Sequence, residues 1–184
     1  MRFSISTLSL LIIISFSSNS IEKESLSKEP IFEKKYEDLN TIELPNSIKM
    51  YESIEKYSTE YNVPSYIAYN VAYLETRYKG PFHWEYKHHQ ESYAGALGPM
   101  QIMPRTGDYL NGEPVDRVEL MNNIDLNVKL SMKMLSDLYD RYGDWGIVCG
   151  YYNTGKPMVN SYGQYCRDNK DYRSKWIEIK KPSS

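Results

Sequence analysis

Ile124-Asp125-Leu126-Asn127-Val128-Lys129-Leu130-Ser131-Met132-Lys133-Met134-Leu135-Ser136-Asp137-Leu138-Tyr139-Asp140-Arg141-Tyr142 carries its apolar residues at helical spacing. Val128, Met132, Leu135 and Leu138 or Tyr139 fall on one face, and Gly143-Asp144 supplies the stop. Downstream, Trp145 to Asn153 reads as a second, more apolar helix, with Gly155 placed to end it in a left-handed cap. A last helical stretch is expected near Asp171 to Ile179, burying Tyr172, Trp176 and Ile179. Upstream, Ile48, Tyr51, Ile54, Tyr57 and Tyr61 share a helical face after a cap at Asn46 or Ser47. Asn62-Val63-Pro64 breaks that helix, and Ser65 can cap the next, which carries Ile67, Val71 and Leu74 in one stripe. No alternating strand pattern or hairpin signal of any length emerges. The fold class read from these patterns is all-α, with little or no sheet.

The remaining segments set the domain limits. Residues 1–20 read as an export signal: Arg2, then an apolar run from Leu8 to Phe16 interrupted by Ser9 and Ser15, then Ser17-Ser18-Asn19-Ser20. That run is far shorter than the ~20 residues that span a bilayer, so no stable membrane span is expected. Residues 21–45 read as a charged leader or linker, since half of the residues from Ile21 to Asn40 are charged, with both signs mixed. The folded domain is expected over residues 46–180, as a monomer. Lys plus Arg number 22 against 24 for Asp plus Glu, which leaves no basic excess for a nucleic-acid partner. Tyrosine is abundant, 18 against 4 Phe, and its apolar face with a hydroxyl suits a groove for a polar ligand such as a glycan.

Glu75 sits about 40° round the helix from Val71 and about 80° from Ile67, on the flank of the apolar face. A carboxyl in that position is partly desolvated where the helix meets the body, which favours its neutral form. Residues 76–94 form an irregular segment holding Gly80-Pro81 and all three histidines, His83, His88 and His89, with Trp84 and Glu85. No clean ligand pair at helical spacing stands beside a second cluster, so this segment reads as a surface loop, with no metal and no cofactor.

Glu75-Thr76 at a helix end is followed about twenty residues later by Gly95-Ala96-Leu97-Gly98-Pro99-Met100-Gln101-Ile102-Met103-Pro104. Then come Asn127-Val128, Met134-Leu135, Asp140-Arg141-Tyr142-Gly143-Asp144 and finally Tyr151-Tyr152-Asn153-Thr154-Gly155. In this order the segments resemble the catalytic domain of soluble lytic transglycosylases, from about Ile48 to Trp176. The resemblance implies a lysozyme-like helical domain of the goose-type lysozyme and transglycosylase kind, acting on peptidoglycan glycan strands in bacteria. It makes Glu75 the catalytic acid, and Met100 and Gln101 the pair lining the cleft beside it. It puts Tyr152 and Asn153 on the opposite wall, and Thr76 where the family usually has Ser, as a further substrate contact. Pro99 replaces a usual Leu and Ser131 a usual Gly, and the segment between Glu75 and Gly95 is longer than the common form.

The implied activity is cleavage of the MurNAc-β-1,4-GlcNAc bond with formation of 1,6-anhydro-muramyl ends, Glu75 serving as acid and then base. Among the residues that the resemblance assigns to the cleft, no carboxylate joins Glu75, whereas hydrolases that retain or invert usually need a second one. Glu85, Glu91 and Asp108 keep a hydrolytic muramidase open as an alternative. A catalytically idle peptidoglycan-binding protein on the same scaffold is the third reading. The expected location is exported, in the periplasm or the extracellular cell-wall space.

Cys149 and Cys166 are the only cysteines. Their spacing allows either a disulfide across the turn at Gly155 to Pro157, in an oxidising compartment, or two separate thiols.

Overall fold

The computed structural model describes residues 43–176. The expected export signal, nearly all of the charged leader and Ile179 lie outside the described residues. Within them, seven α-helices and one 3₁₀ turn account for the regular structure. Pairing is otherwise confined to isolated antiparallel bridges, Glu91 with Leu97 and Leu97 with Ile102. The all-α expectation holds.

Helix α1 (Asn46–Glu60) begins after Pro45, whose φ of −54° and ψ of 143° lie outside the helical region. The expected side-chain cap from Asn46 or Ser47 is not made. Both residues are already inside the helix, and Ser47 Oγ donates instead to the Pro81 carbonyl at 2.9 Å. Met50, Ile54 and Tyr57 form the buried face, with Ile48 and Tyr51 at its margin. The same correction applies to α2 (Ser65–Thr76), where Pro64 rather than Ser65 is the capping position. In both helices the fixed φ of proline sets the entry of the chain.

Helix α2 buries Ile67, Ala68, Tyr69, Asn70, Val71, Ala72 and Thr76. Burial this far around the cylinder marks a central core helix rather than one with a single apolar stripe. Leu74 is only partly buried against that core. Helix α5 (Ile124–Tyr142) matches its expected limits, with Val128, Met132 and Leu135 fully buried. At its end Leu138 turns inward, while Tyr139 is exposed and stacks on Trp145 at 4.2 Å. Gly143 ends α5 at a φ of 64°, and Asp144 then caps α6 (Trp145–Thr154) by accepting from the Ile147 N–H.

Three helices have no counterpart in the sequence reading: α3 (Pro104–Asn111), α4 (Arg117–Asn122) and α7 (Ser161–Asp168). The final stretch, expected as a helix, is a 3₁₀ turn over Tyr172–Lys175. Tyr172 there stacks on Tyr69 at 4.6 Å. Helix α1 packs against α5, and α6 packs most extensively of all against α7. Glycines make the latter approach possible, because a Cβ at Gly163 would collide with the Gly146 carbonyl and one at Gly150 with the Met158 carbonyl.

Candidate active site

Glu75 is the penultimate residue of α2, and Arg77 follows the helix in the left-handed conformation, φ 59°. The Glu75 side chain is half-buried, and loss of water raises its carboxyl above the usual range. A hydrogen bond from Tyr162 and the charge of Arg77 act in the opposite direction and do not cancel that effect. The Tyr162 hydroxyl donates to Glu75 Oε1 at 2.7 Å. Burial, with the Glu75 charge adding to it, holds the Tyr162 phenol well above its ordinary value, so it stays a donor.

Sequence reasoning missed Tyr162 because it missed α7. The signal was present: Asn160 precedes the helix and accepts from the Gly163 N–H at 2.8 Å, while Tyr162 and Cys166 stand at i and i+4 on one face. Asn160 also donates to Asn153 Oδ1 at 3.2 Å, which ties the start of α7 to the end of α6.

The second wall comes from the glycine-rich segment. Leu97 and Ile102 exchange backbone hydrogen bonds of 2.9 and 3.0 Å, closing a tight turn around Gly98 to Gln101. Gly98 has a φ of 76°, and a Cβ there would come within 2.5 Å of Asn127 Nδ2. Asn127, buried in the first turns of α5, holds this turn from inside. Its Oδ1 accepts from the Met100 N–H at 2.9 Å, and its Nδ2 donates to the Leu97 and Leu120 carbonyls, each at 2.9 Å.

A cavity of about 420 Å³ lies along this turn, with Gln101, Tyr152 and Asn153 among its lining residues. The Gln101 backbone is itself left-handed, φ 55°. Its Nε2 donates to the Gly98 carbonyl at 2.8 Å, which fixes the amide at the cavity edge. Tyr152 donates from its hydroxyl to the Met100 carbonyl at 2.7 Å and lies 3.2 Å from Ser131 Oγ. Ser131 therefore adds a polar neighbour to the tyrosine that a glycine could not. Burial raises the Tyr152 phenol, and the nearby Glu75 charge raises it further.

Two of the expected substrate contacts are placed elsewhere. Thr76 is buried, its hydroxyl donating to the Pro99 carbonyl and accepting from the Tyr86 hydroxyl, both at 2.8 Å. Met100 is fully buried, with only its backbone engaged with Tyr152. Neither side chain lines the cavity; Thr76 fastens α2 to the glycine-rich turn from behind, and Met100 packs in the core beneath that turn. Of the other carboxylates considered, Glu91 pairs with Arg117 at 2.9 Å, Asp108 accepts from the Val115 N–H, and Glu85 is exposed. None of them lines the cavity.

Cys149 and Cys166 are free, fully buried cysteines. They sit against each other, and contact with the Cys149 thiol together with burial pushes the Cys166 thiol far up. Among the described residues no group of three or more His, Cys, Asp or Glu side chains could hold a metal ion. No helix among them is long and apolar enough to cross a membrane.

No curated protein matches the chain significantly. Among solved structures, an inactive Glu-to-Gln mutant of the lytic transglycosylase Slt from Pseudomonas aeruginosa superposes with a TM-score of 0.52 at 18% identity. The match covers 66% of this chain and 23% of that one, so the likeness is one of fold, over about a quarter of the larger protein. The family model described as the transglycosylase SLT domain matches residues 52–175, from the first turns of α1 through the 3₁₀ turn. That span takes in Glu75, the glycine-rich turn, Tyr152 and Tyr162, and the chain belongs to the transglycosylase SLT domain family.

Proposed function

We propose that the protein is a peptidoglycan lytic transglycosylase in which Glu75 is both the acid and the base. The observation that carries this reading is the half-buried Glu75 carboxyl, raised by desolvation and held by the Tyr162 hydroxyl, close to Tyr152, which lines a cavity whose wall bears no carboxylate. Cleavage at near-neutral pH needs a proton donor that is still protonated there, and burial supplies it. Glu75 gives its proton to the bridging oxygen of the MurNAc-β-1,4-GlcNAc bond as the C1–O bond breaks. The carboxylate then takes the proton of the muramoyl C6 hydroxyl while that oxygen bonds to C1. The products are a free GlcNAc hydroxyl and a 1,6-anhydro-muramyl end, with no water consumed. Gln101, Tyr152 and Asn153 hold the sugar, and Thr76 and Met100 hold the walls that carry them.

The N-terminal segment fits this reading, since the substrate lies outside the cytoplasm: residues 1–20 would direct export, residues 21–45 would act as leader or linker, and residues 46–180 would work as a monomer on cell-wall glycan. The test is mass spectrometry of digested sacculi. Muropeptides lighter by one water than those of a lysozyme digest are expected. Reducing ends as the main product would identify a muramidase, and an absence of cleavage a binding protein; either result overturns the proposal.

A further inference from the structure

Asn70 stands among Ile67, Ala68, Val71 and Ala72 in the most buried stretch of α2 and is itself 1% exposed. A buried amide is costly unless its N–H groups find acceptors. Asn70 Nδ2 has two, the Cys166 carbonyl at 3.2 Å and the Asn169 carbonyl at 2.7 Å, both at the C-terminal end of α7. That end is short of donors. The Asn169 N–H donates to the Tyr165 carbonyl, but the Lys170 N–H, next in the helical series, turns to the Asp168 carbonyl instead. The Cys166 carbonyl is thus left without its i+4 donor, the ordinary condition of a helix's last turn, and Asn70 supplies one from another helix.

Helix α7 is therefore bonded to α2 at two points, through Tyr162 to Glu75 at its start and through Cys166 to Asn70 near its end. At the helical rise the two points lie about 7.5 Å apart on α2 and about 6 Å apart on α7, in opposite chain directions. The bonds are rungs of one antiparallel ladder, and sliding α7 along α2 would break both together. The close approach of Gly163 to α6 sets a distance but offers no side chain to fix that slide. Stacking of Tyr73 on Tyr165 at 6.2 Å joins α2 and α7 without a directional bond. We propose that Asn70 is a positioning residue: by holding the end of α7 on α2 it keeps the Tyr162 hydroxyl on the Glu75 carboxyl, although it does not line the cavity. The proposal rests on the assignment of Glu75 as the acid above.

The groups facing Glu75 are Arg77 at its own helix end, Tyr152 on α6, and Tyr162 and Cys166 on α7. Asn70 carries no charge, so it can change the titration of Glu75 only by moving one of these. The experiment is a double-mutant cycle of Asn70→Ala and Tyr162→Phe, read by carbon NMR titration of the Glu75 carboxyl and by kcat on peptidoglycan. Asn70→Ala alone is expected to move the titration to higher pH, the direction of Tyr162→Phe, and to lower kcat by up to about tenfold. In the Tyr162→Phe background it should move the titration no further. A titration that Asn70→Ala leaves in place, or shifts that add in the double variant, overturn the role of Asn70 while leaving the transglycosylase reading standing. Should the alanine variant not fold, Asn70→Leu keeps the volume, removes both donors and carries the same comparison; if neither folds, Asn70 is a core group of the whole domain and the proposal falls. A wild-type protein that releases no product overturns the transglycosylase reading instead, and the NMR titration, which needs no turnover, tells the two failures apart.

Discussion

Tyr162 reaches Glu75 across 87 positions of sequence, its hydroxyl 2.7 Å from the carboxyl Oε1. The bond joins the end of one helix to the start of another and has two effects. It aims the carboxyl, and it favours the charged form over the neutral one.

Tyr162→Phe should therefore raise the Glu75 pKa further, because a donor that stabilises the carboxylate is removed. The alkaline limb of the pH profile of kcat/KM is expected to move to higher pH, while kcat falls about tenfold from lost positioning. A loss of rate with the limb unmoved would mean that Tyr162 serves packing alone.

Glu75→Gln should lower activity by about 10²–10⁴-fold under the proposed mechanism, in which one group performs both proton transfers. Stability follows the sign of the shift. A carboxyl whose folded pKa is raised contributes stability that is fully present below its ordinary value of 4.5 and lost as pH rises through the folded value. The variant escapes that loss. Its melting temperature should equal or exceed wild type at neutral pH, with the gap closing in acid; scanning calorimetry across pH checks this.

Asn127→Ala should be among the most destabilising single changes in the chain. It strips a hydrogen bond from the Met100 N–H and from the Leu97 and Leu120 carbonyls, all at a buried side chain. Unmet buried groups cost about 1–3 kcal/mol each, so a loss of about 3 kcal/mol or more is expected in urea denaturation. Activity should fall as well, because the turn that carries Gln101 is no longer held.

The Cys149–Cys166 pair should close to a disulfide when a disulfide-bearing oxidant takes up its two electrons, the thiols releasing two protons. Both are buried against each other, and a loop of this size gives about 3 kcal/mol in the chain-entropy model. Titration of the denatured, unreduced protein after exposure to that oxidant should find fewer than two thiols per chain; two free thiols would show that the bridge does not form. Activity should survive Cys166→Ser, because neither cysteine lines the cavity beside Gln101, Tyr152 and Asn153.

The elements that were legible in the sequence are those whose own residues mark both ends. Helix α5 has a long apolar stripe and Gly143, and α6 has Asp144 and Gly155. Helices α3, α4 and α7 are six to eight residues long, too short to display a period, and the close approach of α7 to α6 depends on glycines rather than an apolar face. At the candidate site, the motifs pointed to Gln101, Tyr152 and Asn153, which line one cavity, and to Glu75 at a helix end. They could not tell that Thr76 and Met100 are buried behind it, because the same residue types can face a cleft or lock its wall, and only tertiary contacts decide. Tyr162 is the opposite case, a tyrosine that bonds to Glu75 yet stood among seventeen others.

The position of Glu75 within its own helix adds a force that burial alone does not describe. The peptide dipoles of α2 sum to a partial negative charge at its C-terminal end, where Glu75 sits one residue from the last turn's close. Anions are at ease at the opposite end of a helix; here the carboxylate meets a pole of its own sign, at a cost of about 0.3–1 kcal/mol. Arg77 next door offsets part of this. The backbone thus joins burial in keeping the proton on Glu75, and moving the same glutamate to the first turn of a helix would reverse that contribution.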